Sequence, residues 1–106
     1  SLAGGRRHRI LVLMPAHNES GLIAHAALSL TRLSEQRASV RRVIIADNCS
    51  DDTAEIARSF GVEVLERNDT IRRGKPAAIQ WALDAIGLDE FDSVAIVDAD
   101  TEIDRA

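Results

Sequence analysis

The order of apolar and polar segments constrains the fold of this 106-residue chain more than any other feature of its sequence. Four short apolar runs alternate with longer segments in which apolar residues recur at helical spacing. Short runs with few polar interruptions are typical of strands that are buried on both faces of a sheet. The four runs are Ile10–Met14, Val43–Ala46, Val62–Leu65 and Val94–Val97.

The segments between these runs predict three helices. The first covers residues 20–33, and either Ser50 or Asp51 is placed to cap the second. Pro76 stands in the first turn of the third helix, on which Trp81 points away from the apolar stripe. Four strands joined by three helices predict an α/β fold with a Rossmann-like parallel sheet and right-handed crossovers.

Each predicted strand is followed by a chemically rich loop. Ligands of open parallel sheets bind outside the carboxyl ends of the strands, which meet at the same edge of the sheet. The sequence therefore predicts a binding site formed by four loops. These loops are Pro15–Glu19, Asp47–Asp52, Arg67–Lys75 and Asp98–Asp100.

Two acidic residues follow the fourth strand. Asp98 and Asp100 are two residues apart, so in an extended chain their carboxylates leave the same face and can hold one hard divalent cation. Mg²⁺ or Mn²⁺ bridged to phosphate oxygens suits such a site. The alternative is that both residues are ordinary acids at a junction between a strand and a loop.

Asp47 ends the second strand, where its carboxylate can accept hydrogen bonds from the N–H edge of a base or from ribose hydroxyls. The alternative is an ordinary turn in which Asn48, Ser50 and Asp51 cap the next helix, and for Ser50 capping is the favoured interpretation. Cys49 has no identifiable partner for nucleophilic chemistry and is expected to be inert.

A basic loop precedes the third helix. Arg72, Arg73 and Lys75 flank Gly74, which combines side-chain cations with free backbone N–H groups, an arrangement that suits a diphosphate. A solvated basic loop is the alternative. The P-loop spacing is absent, and no glycine-rich dinucleotide motif follows the first strand, so both of those nucleotide-binding classes are disfavoured.

The first loop offers Glu19 and His17. Glu19 can contact a ribose or support the first turn of its helix. A lone histidine such as His17 more often hydrogen-bonds within a loop than ligates a metal.

Composition excludes several classes of protein. A net charge of −4 argues against a general nucleic-acid-binding protein, and a single cysteine excludes an internal disulfide framework. No apolar run approaches the roughly 20 residues that a membrane span needs, and the N-terminal residues lack the apolar core of a signal peptide. We expect residues 1–8 to be a disordered or cloning-derived N-terminus and the protein to be cytoplasmic.

Four motifs occur in order at the four strand ends, and together they resemble the nucleotide-sugar half of the family 2 glycosyltransferases, which have the GT-A fold. The resemblance covers residues 9–104, nearly the whole chain. The motifs are Leu13–Glu19, Asp47–Thr53, Gly74-Lys75 and the D-x-D of Asp98–Asp100.

This resemblance implies transfer of a sugar from a UDP- or GDP-linked donor to a hydroxyl of a glycan, lipid or small-molecule acceptor. It places Pro15, Ala16 and Glu19 in the nucleoside pocket. It also implies that Asp47 contacts the base and that Lys75 lies near the diphosphate. It also implies that the D-x-D residues, Asp98 and Asp100, position Mg²⁺ or Mn²⁺ and the donor phosphates.

Members of this family continue past the D-x-D with an acceptor-binding half that supplies the catalytic base. No residue of this chain matches that base. We therefore expect residues 9–106 to be the donor-binding part, inactive alone, with the base beyond Ala106. A longer parent protein with downstream membrane helices would lie at the cytoplasmic face of a membrane.

Three other functions are possible. The chain as it stands can be a nucleotide-binding fragment or pseudoenzyme without turnover. Residues Val97–Thr101 resemble the D-x-D-x-T of haloacid-dehalogenase-type phosphatases, but in those enzymes that strand opens the domain. A sugar nucleotidyltransferase is disfavoured because Pro15–Glu19 supplies no glycine-rich loop.

Overall fold

Residues 7–100 are described by the computed structural model, and within them strands and helices alternate. The four strands form one sheet in the order β3-β2-β1-β4, and every neighbouring pair is parallel. The predicted α/β fold, with a parallel sheet of four strands and three helices, is confirmed. The elements are β1 (His8–Ala16), α1 (Ile23–Thr31), β2 (Ala38–Asp47), α2 (Thr53–Ser59), β3 (Glu63–Arg67), α3 (Lys75–Ile86) and β4 (Ser93–Ile96).

The N-terminal end of β1 bears on the expectation for residues 1–8. Residues 1–6 lie outside the described part of the chain, but His8 already belongs to β1, where it pairs with Ala38 of β2. The His8 Nε2 atom lies 2.7 Å from the Ser93 hydroxyl. His8 is therefore part of the sheet.

Helix α1 is shorter than the predicted helix over residues 20–33. It begins at Ile23, because Ser20 and Gly21 belong to a turn in which the Glu19 carbonyl accepts hydrogen bonds from Leu22 and Ile23. Helix α3 is the longest helix of residues 7–100, with 12 residues. No helix in this part of the chain is long and apolar enough to cross a membrane.

The sheet is buried on both faces at its centre. Met14 and Ile44 face α1 and α2, where they pack with Ile23 and Leu30. Residues one position away in each strand, such as Leu13 and Ile45, face α3 on the opposite side. Two apolar layers on the same strands explain why β1 and β2 have uninterrupted apolar sequences.

Strand β4 differs from the buried strand that its apolar sequence predicts. All four of its residues are exposed, including Val94 at 39% and Ile96 at 46%. Among residues 7–100, the strand lies at the edge of the sheet and pairs with β1 alone. The prediction of burial was wrong for β4 in the described part of the chain, because an edge position leaves the apolar side chains uncovered.

Trp81 also departs from its predicted position. It was expected to point away from the apolar stripe of α3, but it is half-buried and packs against the cluster that contains Ala78 and Ala82. The small alanine side chains let α3 approach the sheet closely, so a bulky ring at the side of the stripe still reaches the core.

Candidate functional site

An open cleft of about 260 Å³ lies where β1 and β2 end at the carboxyl edge of the sheet. Three of the four loops predicted to meet here contribute to its walls. Five of the seven predicted donor-binding residues share this cleft, whereas Asp98 and Asp100 lie outside its lining. The lining residues are Pro15, Ala16, His17, Glu19, Asp47, Asn48, Arg73, Gly74 and Lys75.

The loop after β1 is held by main-chain hydrogen bonds. Asn18 has a φ of 49°, a conformation that asparagine adopts more readily than most residues. The Glu19 N–H donates to Thr53 Oγ1 at 2.9 Å, which ties this loop to the start of α2. Through its carbonyl, Glu19 also supports the first turn of α1, one of the two roles predicted for this residue.

His17 links the loop after β1 to the end of β2. Its Nδ1 lies 2.8 Å from the Asp47 carbonyl oxygen, which can only accept, so Nδ1 carries the hydrogen. In the neutral ring, Nε2 is then left as an acceptor. This bond is of the kind predicted for His17, a hydrogen bond between loops.

Asp47 forms a buried ion pair with the last residue of β3. Arg67 Nη1 donates to Asp47 Oδ1 at 2.7 Å, and the two side chains are only 4% and 8% exposed, respectively. The pair follows from the register of the sheet, in which Asp47 and Arg67 stand opposite one another. Asp47 reaches the cleft, and Arg67 lies behind it.

Asn48 joins the end of β2 to the loop after β3. Its N–H donates to the Arg67 carbonyl at 2.7 Å, while its side chain bonds both the N–H and the carbonyl of Asp69. Asn48 has a φ of 52°, which turns its side chain toward that loop instead of toward α2. The alternative in which Asn48 caps α2 is therefore wrong.

The favoured cap of α2, Ser50, is also not the cap that forms. Ser50 contacts Asn18 Oδ1 through both its N–H and its hydroxyl. The N-cap is Asp52, which makes no side-chain cap hydrogen bond. Asp51, one position before it, accepts at Oδ1 from the N–H and the hydroxyl of Thr53, the first residue of the helix. The hydroxyl of Thr53, more than any other group, lowers the pKa of Asp51 to about 2.

The basic loop ends at the beginning of α3. Gly74 has a φ of 101°, a conformation that favours glycine, and it turns the chain into the helix at Lys75. Arg73 and Lys75 line the cleft, whereas Arg72 lies on a smaller cavity beside Trp81. Two of the three cations predicted to meet a diphosphate are therefore at the cleft.

The acidic pair after β4 is exposed. Val97 still bonds the Leu13 carbonyl, but Ala99 and Asp100 lie in a turn, so the argument from an extended chain does not apply to them. Asp98 and Asp100 instead flank Ala99, which is 6% exposed and packs in the core. Lys75 Nζ lies 2.9 Å from Asp98 Oδ1, and this carboxylate raises the pKa of Lys75.

The family model described as glycosyl transferase family 2 matches residues 11–106. The chain belongs to glycosyltransferase family 2. The resemblance on the four motifs is thereby confirmed. The same match argues against the phosphatase alternative, because it accounts for all four loops, including the Asp98–Asp100 segment, within one family.

The family 2 chain is similar to proteins of known activity. A β-monoglucosyldiacylglycerol synthase from Trichormus variabilis is 31% identical over 99 residues, which are 89% of this chain and 20% of that protein. The glucosyl-3-phosphoglycerate synthase from Mycobacterium tuberculosis in complex with Mn²⁺, UDP and glucosyl-3-phosphoglycerate is 26% identical, with a TM-score of 0.71. The superposition covers 92% of this chain and 34% of that one.

The structure of the same mycobacterial enzyme has also been solved with Mg²⁺ and UDP. It matches this chain with a TM-score of 0.70 and 26% identity, and the match covers 92% of this chain and 34% of that one. The chain therefore spans about a third of the length of these solved structures and a fifth of the curated relative. The GT-A fold predicted for the chain is confirmed by this likeness.

The acidic pair of this family 2 chain fits part of a metal site. Two exposed carboxylates supply hard oxygen ligands of the kind that Mg²⁺ and Mn²⁺ take. Within residues 7–100, no cluster of three or more potential ligand side chains exists. One or two carboxylates are what the protein usually contributes to an Mg²⁺ site that substrate phosphates and water complete.

Sequence reasoning missed two residues that shape the site, Arg67 and Asn48. Both act by tying the end of β2 to the loop after β3. A signal for Arg67 was present in the sequence, because a basic residue ends the third strand and an acid, Asp47, ends the second. Neither spacing nor local pattern showed the register that brings these two charges together.

Proposed function

We propose that this chain binds the donor in a glycosyltransferase that transfers a sugar from a nucleoside-diphosphate sugar to an acceptor hydroxyl. The observation that carries the proposal is the convergence of three strand-end loops on one cleft. Cationic groups lie at one side of this cleft, and a buried carboxylate lies at another. The mycobacterial relative with UDP and Mn²⁺ supports a uridine nucleotide as the donor.

The nucleoside end is assigned to the loops after β1 and β2. Pro15 and Ala16 give the cleft an apolar wall on which a base can lie, and Asp47 offers a carboxylate to its N–H edge. Glu19 also lines the cleft, and its carboxylate is the one we assign to the ribose hydroxyls.

The diphosphate end is assigned to the start of α3. Lys75 and Arg73 supply positive charge, and the N-terminus of the 12-residue helix adds free N–H groups. Lys75 is ion-paired with Asp98 in the structure, and both side chains are about half exposed. An exposed pair of this kind is weak, so a phosphate can replace Asp98 as the partner of Lys75.

Asp98 and Asp100 are the residues that would hold Mg²⁺ or Mn²⁺. When bound, the cation supplies charge that neutralises the departing diphosphate. The likeness to complexes that contain Mn²⁺ or Mg²⁺ supports this assignment. The chain's own part is to place both carboxylates beside the start of α3, where Lys75 already contacts Asp98.

We assign residues 9–106 to the donor-binding part of a larger transferase whose acceptor-binding half and catalytic base lie elsewhere. The chain spans about a third of the structural relatives, which supports that division. The chain alone is then expected to bind donor without turnover. The acceptor is a glycan, lipid or small molecule, and the proposed location is the cytoplasm or the cytoplasmic face of a membrane.

A melting-temperature series tests this proposal. The chain is heated with UDP, UDP-glucose or GDP, with and without Mn²⁺. A ligand at 100 times its dissociation constant stabilises a protein by about 2.7 kcal/mol, which raises the midpoint of a domain of this size by roughly 10 °C. We expect a metal-dependent shift for at least one nucleotide.

The variants in this series are Asp98→Ala with Asp100→Ala, and the matched control Asp89→Ala with Glu90→Ala. The control removes two exposed carboxylates that lie outside the cleft. The first pair should abolish the metal-dependent part of the shift, and the control pair should preserve it. A wild-type chain that shifts with no nucleotide, with or without metal, would overturn the proposal.

A further inference from the structure

The charged pair behind the cleft has an asymmetry that bears on which base the cleft accepts. Arg67 Nη1 donates a hydrogen bond of 2.7 Å to Asp47 Oδ1. The second Asp47 oxygen, Oδ2, has no hydrogen bond to another residue among 7–100. Among residues 7–100, the buried side-chain polar atom that lacks a hydrogen-bond partner is Arg9 Nε, so Asp47 Oδ2 is not a buried atom. Asp47 Oδ2 is therefore reached by solvent, and Asp47 lines the cleft.

The same guanidinium also holds the loop that runs to the diphosphate end. Arg67 Nη2 donates to the Arg72 carbonyl and lies 3.6 Å from Asp69 Oδ2. Asp69 Oδ1 in turn accepts from the N–H groups of Ile71 and Arg72, both at 2.9 Å. One buried guanidinium thus fixes the carboxylate at the base end and the loop that leads to Lys75.

The number of free carboxylate oxygens determines which base suits the site. Uracil presents one imide N–H between two carbonyls, so a single oxygen matches it. Guanine presents a pair of adjacent donors, N1–H and N2–H, which suit a carboxylate with both oxygens free. Cytosine presents a lone pair at N3, which a carboxylate oxygen repels. A carboxylate with one oxygen already occupied therefore favours a uracil-type base.

We propose that Arg67 is a positioning residue that selects a uracil-type base by holding Asp47 with a single oxygen toward the cleft. This inference rests on the proposed function and deepens it, because it names the residue that determines the base class. Arg67 does not line the cleft, so it acts through Asp47 and through the loop that it holds.

The competing explanation is purely structural, in which Arg67 only neutralises a buried acid. Both explanations predict that loss of the guanidinium destabilises the protein. They differ in the ratio of affinities for two nucleotides, because a structural defect weakens the binding of all nucleotides alike. The ratio of dissociation constants for UDP against CDP and GDP is therefore the informative quantity.

The test measures the binding of UDP, GDP and CDP in Mg²⁺ by calorimetry, using the wild-type chain, Arg67→Met and Arg67→Lys. The matched control is Arg58→Met, which removes an arginine from an exposed pair with Glu66 near the same strand. Near-ultraviolet circular dichroism checks that each variant is folded. Arg67→Lys keeps the buried positive charge but not the planar fork, so it serves if the methionine variant does not fold.

We expect the wild-type chain to prefer UDP over both other nucleotides by about tenfold or more. Arg67→Met should weaken UDP binding by about 10- to 100-fold, because an Asp47 that is no longer held in place loses its hydrogen bond to the base, and a hydrogen bond to a charged group has about that effect. The preference should also fall to within about threefold in this variant, with an intermediate value for Arg67→Lys. Arg58→Met should preserve both the affinity and the preference.

Three results would overturn the inference. A folded Arg67→Met or Arg67→Lys chain with an unchanged UDP preference would assign Arg67 a structural role only. A wild-type chain that binds GDP or CDP as tightly as UDP would also refute it, while the proposed function would stand. A wild-type chain that binds no nucleotide would refute both, so the two failures are distinguishable.

Discussion

The two ion pairs at the carboxyl edge of the sheet have similar lengths and very different surroundings. Arg67 and Asp47 are 2.7 Å apart and nearly buried, whereas Lys75 and Asp98 are 2.9 Å apart with both side chains about half exposed. The strands beneath them differ in the same way, because the end of β2 is buried on both faces and β4 is exposed.

This difference distinguishes a rigid end of the cleft, at Asp47, from an end at Lys75 where the ion pair can separate. A buried pair is costly to separate, because either partner alone leaves an unpaired charge in a medium of low dielectric constant. An exposed pair is screened by water and salt and adds little to stability. Asp47 is therefore held in one fixed position at the cleft, while the pair between Lys75 and Asp98 is weak enough to separate.

The largest effect is expected from breaking the buried pair. Arg67→Met should lower the free energy of unfolding by about 3–5 kcal/mol, because the carboxylate of Asp47 then lies buried without its partner. Urea denaturation measures this loss. In the exposed pair between Arg58 and Glu66, Arg58→Met should cost less than about 1 kcal/mol. Similar losses in the two variants would contradict the distinction between buried and exposed pairs.

A comparison of core residues extends this test to the strands. Ile44 of β2 is fully buried and Ile96 of β4 is 46% exposed. Ile44→Ala should cost about 2–5 kcal/mol, because it removes packed methyl groups and leaves a cavity. The same change at Ile96 should cost less than about 1 kcal/mol. Equal costs in urea denaturation would mean that β4 is covered in solution.

The fold could be predicted because strands buried on both faces leave a local signature. Consecutive residues such as Ile44 and Ile45 face opposite apolar layers, so the sequence shows an uninterrupted run. The position of the site followed from the same inference, since parallel strands end at one edge. The exposure of β4 could not be predicted, because an apolar run does not show which strands flank it or which helices cover it.

The contacts within the site were less predictable than its position. Arg67 meets Asp47 through the register between two strands, a pairing over 20 residues that leaves no local pattern. Ser50 and Asp51 are both good caps by residue type, but both contact the loop after β1, and Asp52 stands at the N-cap. Such contacts depend on how separate loops meet, and the sequence of one loop does not contain that information.

A smaller effect is expected at the exposed pair. Lys75→Met should change the free energy of unfolding by less than about 1 kcal/mol, since both side chains are about half exposed. It should nevertheless weaken UDP binding by roughly tenfold, because it removes a hydrogen bond to a charged phosphate. Urea denaturation and calorimetry measure the two quantities separately.

Arg41→Met is a matched control for Lys75→Met, because Arg41 forms a similarly exposed pair with Glu63 and does not line the cleft. Both variants should have near-wild-type stability, and only Lys75→Met should weaken UDP binding. A large loss of stability in Lys75→Met would show that this end of the cleft is as rigid as the end at Asp47.

The smallest effect concerns Asp51, a carboxylate that hydrogen bonds fix without burial. The hydroxyl of Thr53, together with the N–H groups of Thr53 and Ser20, lowers its pKa from 3.8 to about 2. Because the folded pKa lies below the unfolded value, the stabilisation is complete above about pH 4 and is lost as the pH falls toward 2.

Carbon-13 NMR at about pH 3 should find Asp51 mostly ionised. Thr53→Val should raise this pKa toward 3.8, and the control Thr31→Val, in a threonine that bonds only its own helix, should leave it unchanged. A wild-type Asp51 that is mostly protonated at pH 3 would show that its hydrogen bonds with Thr53 and Ser20 are not formed in solution.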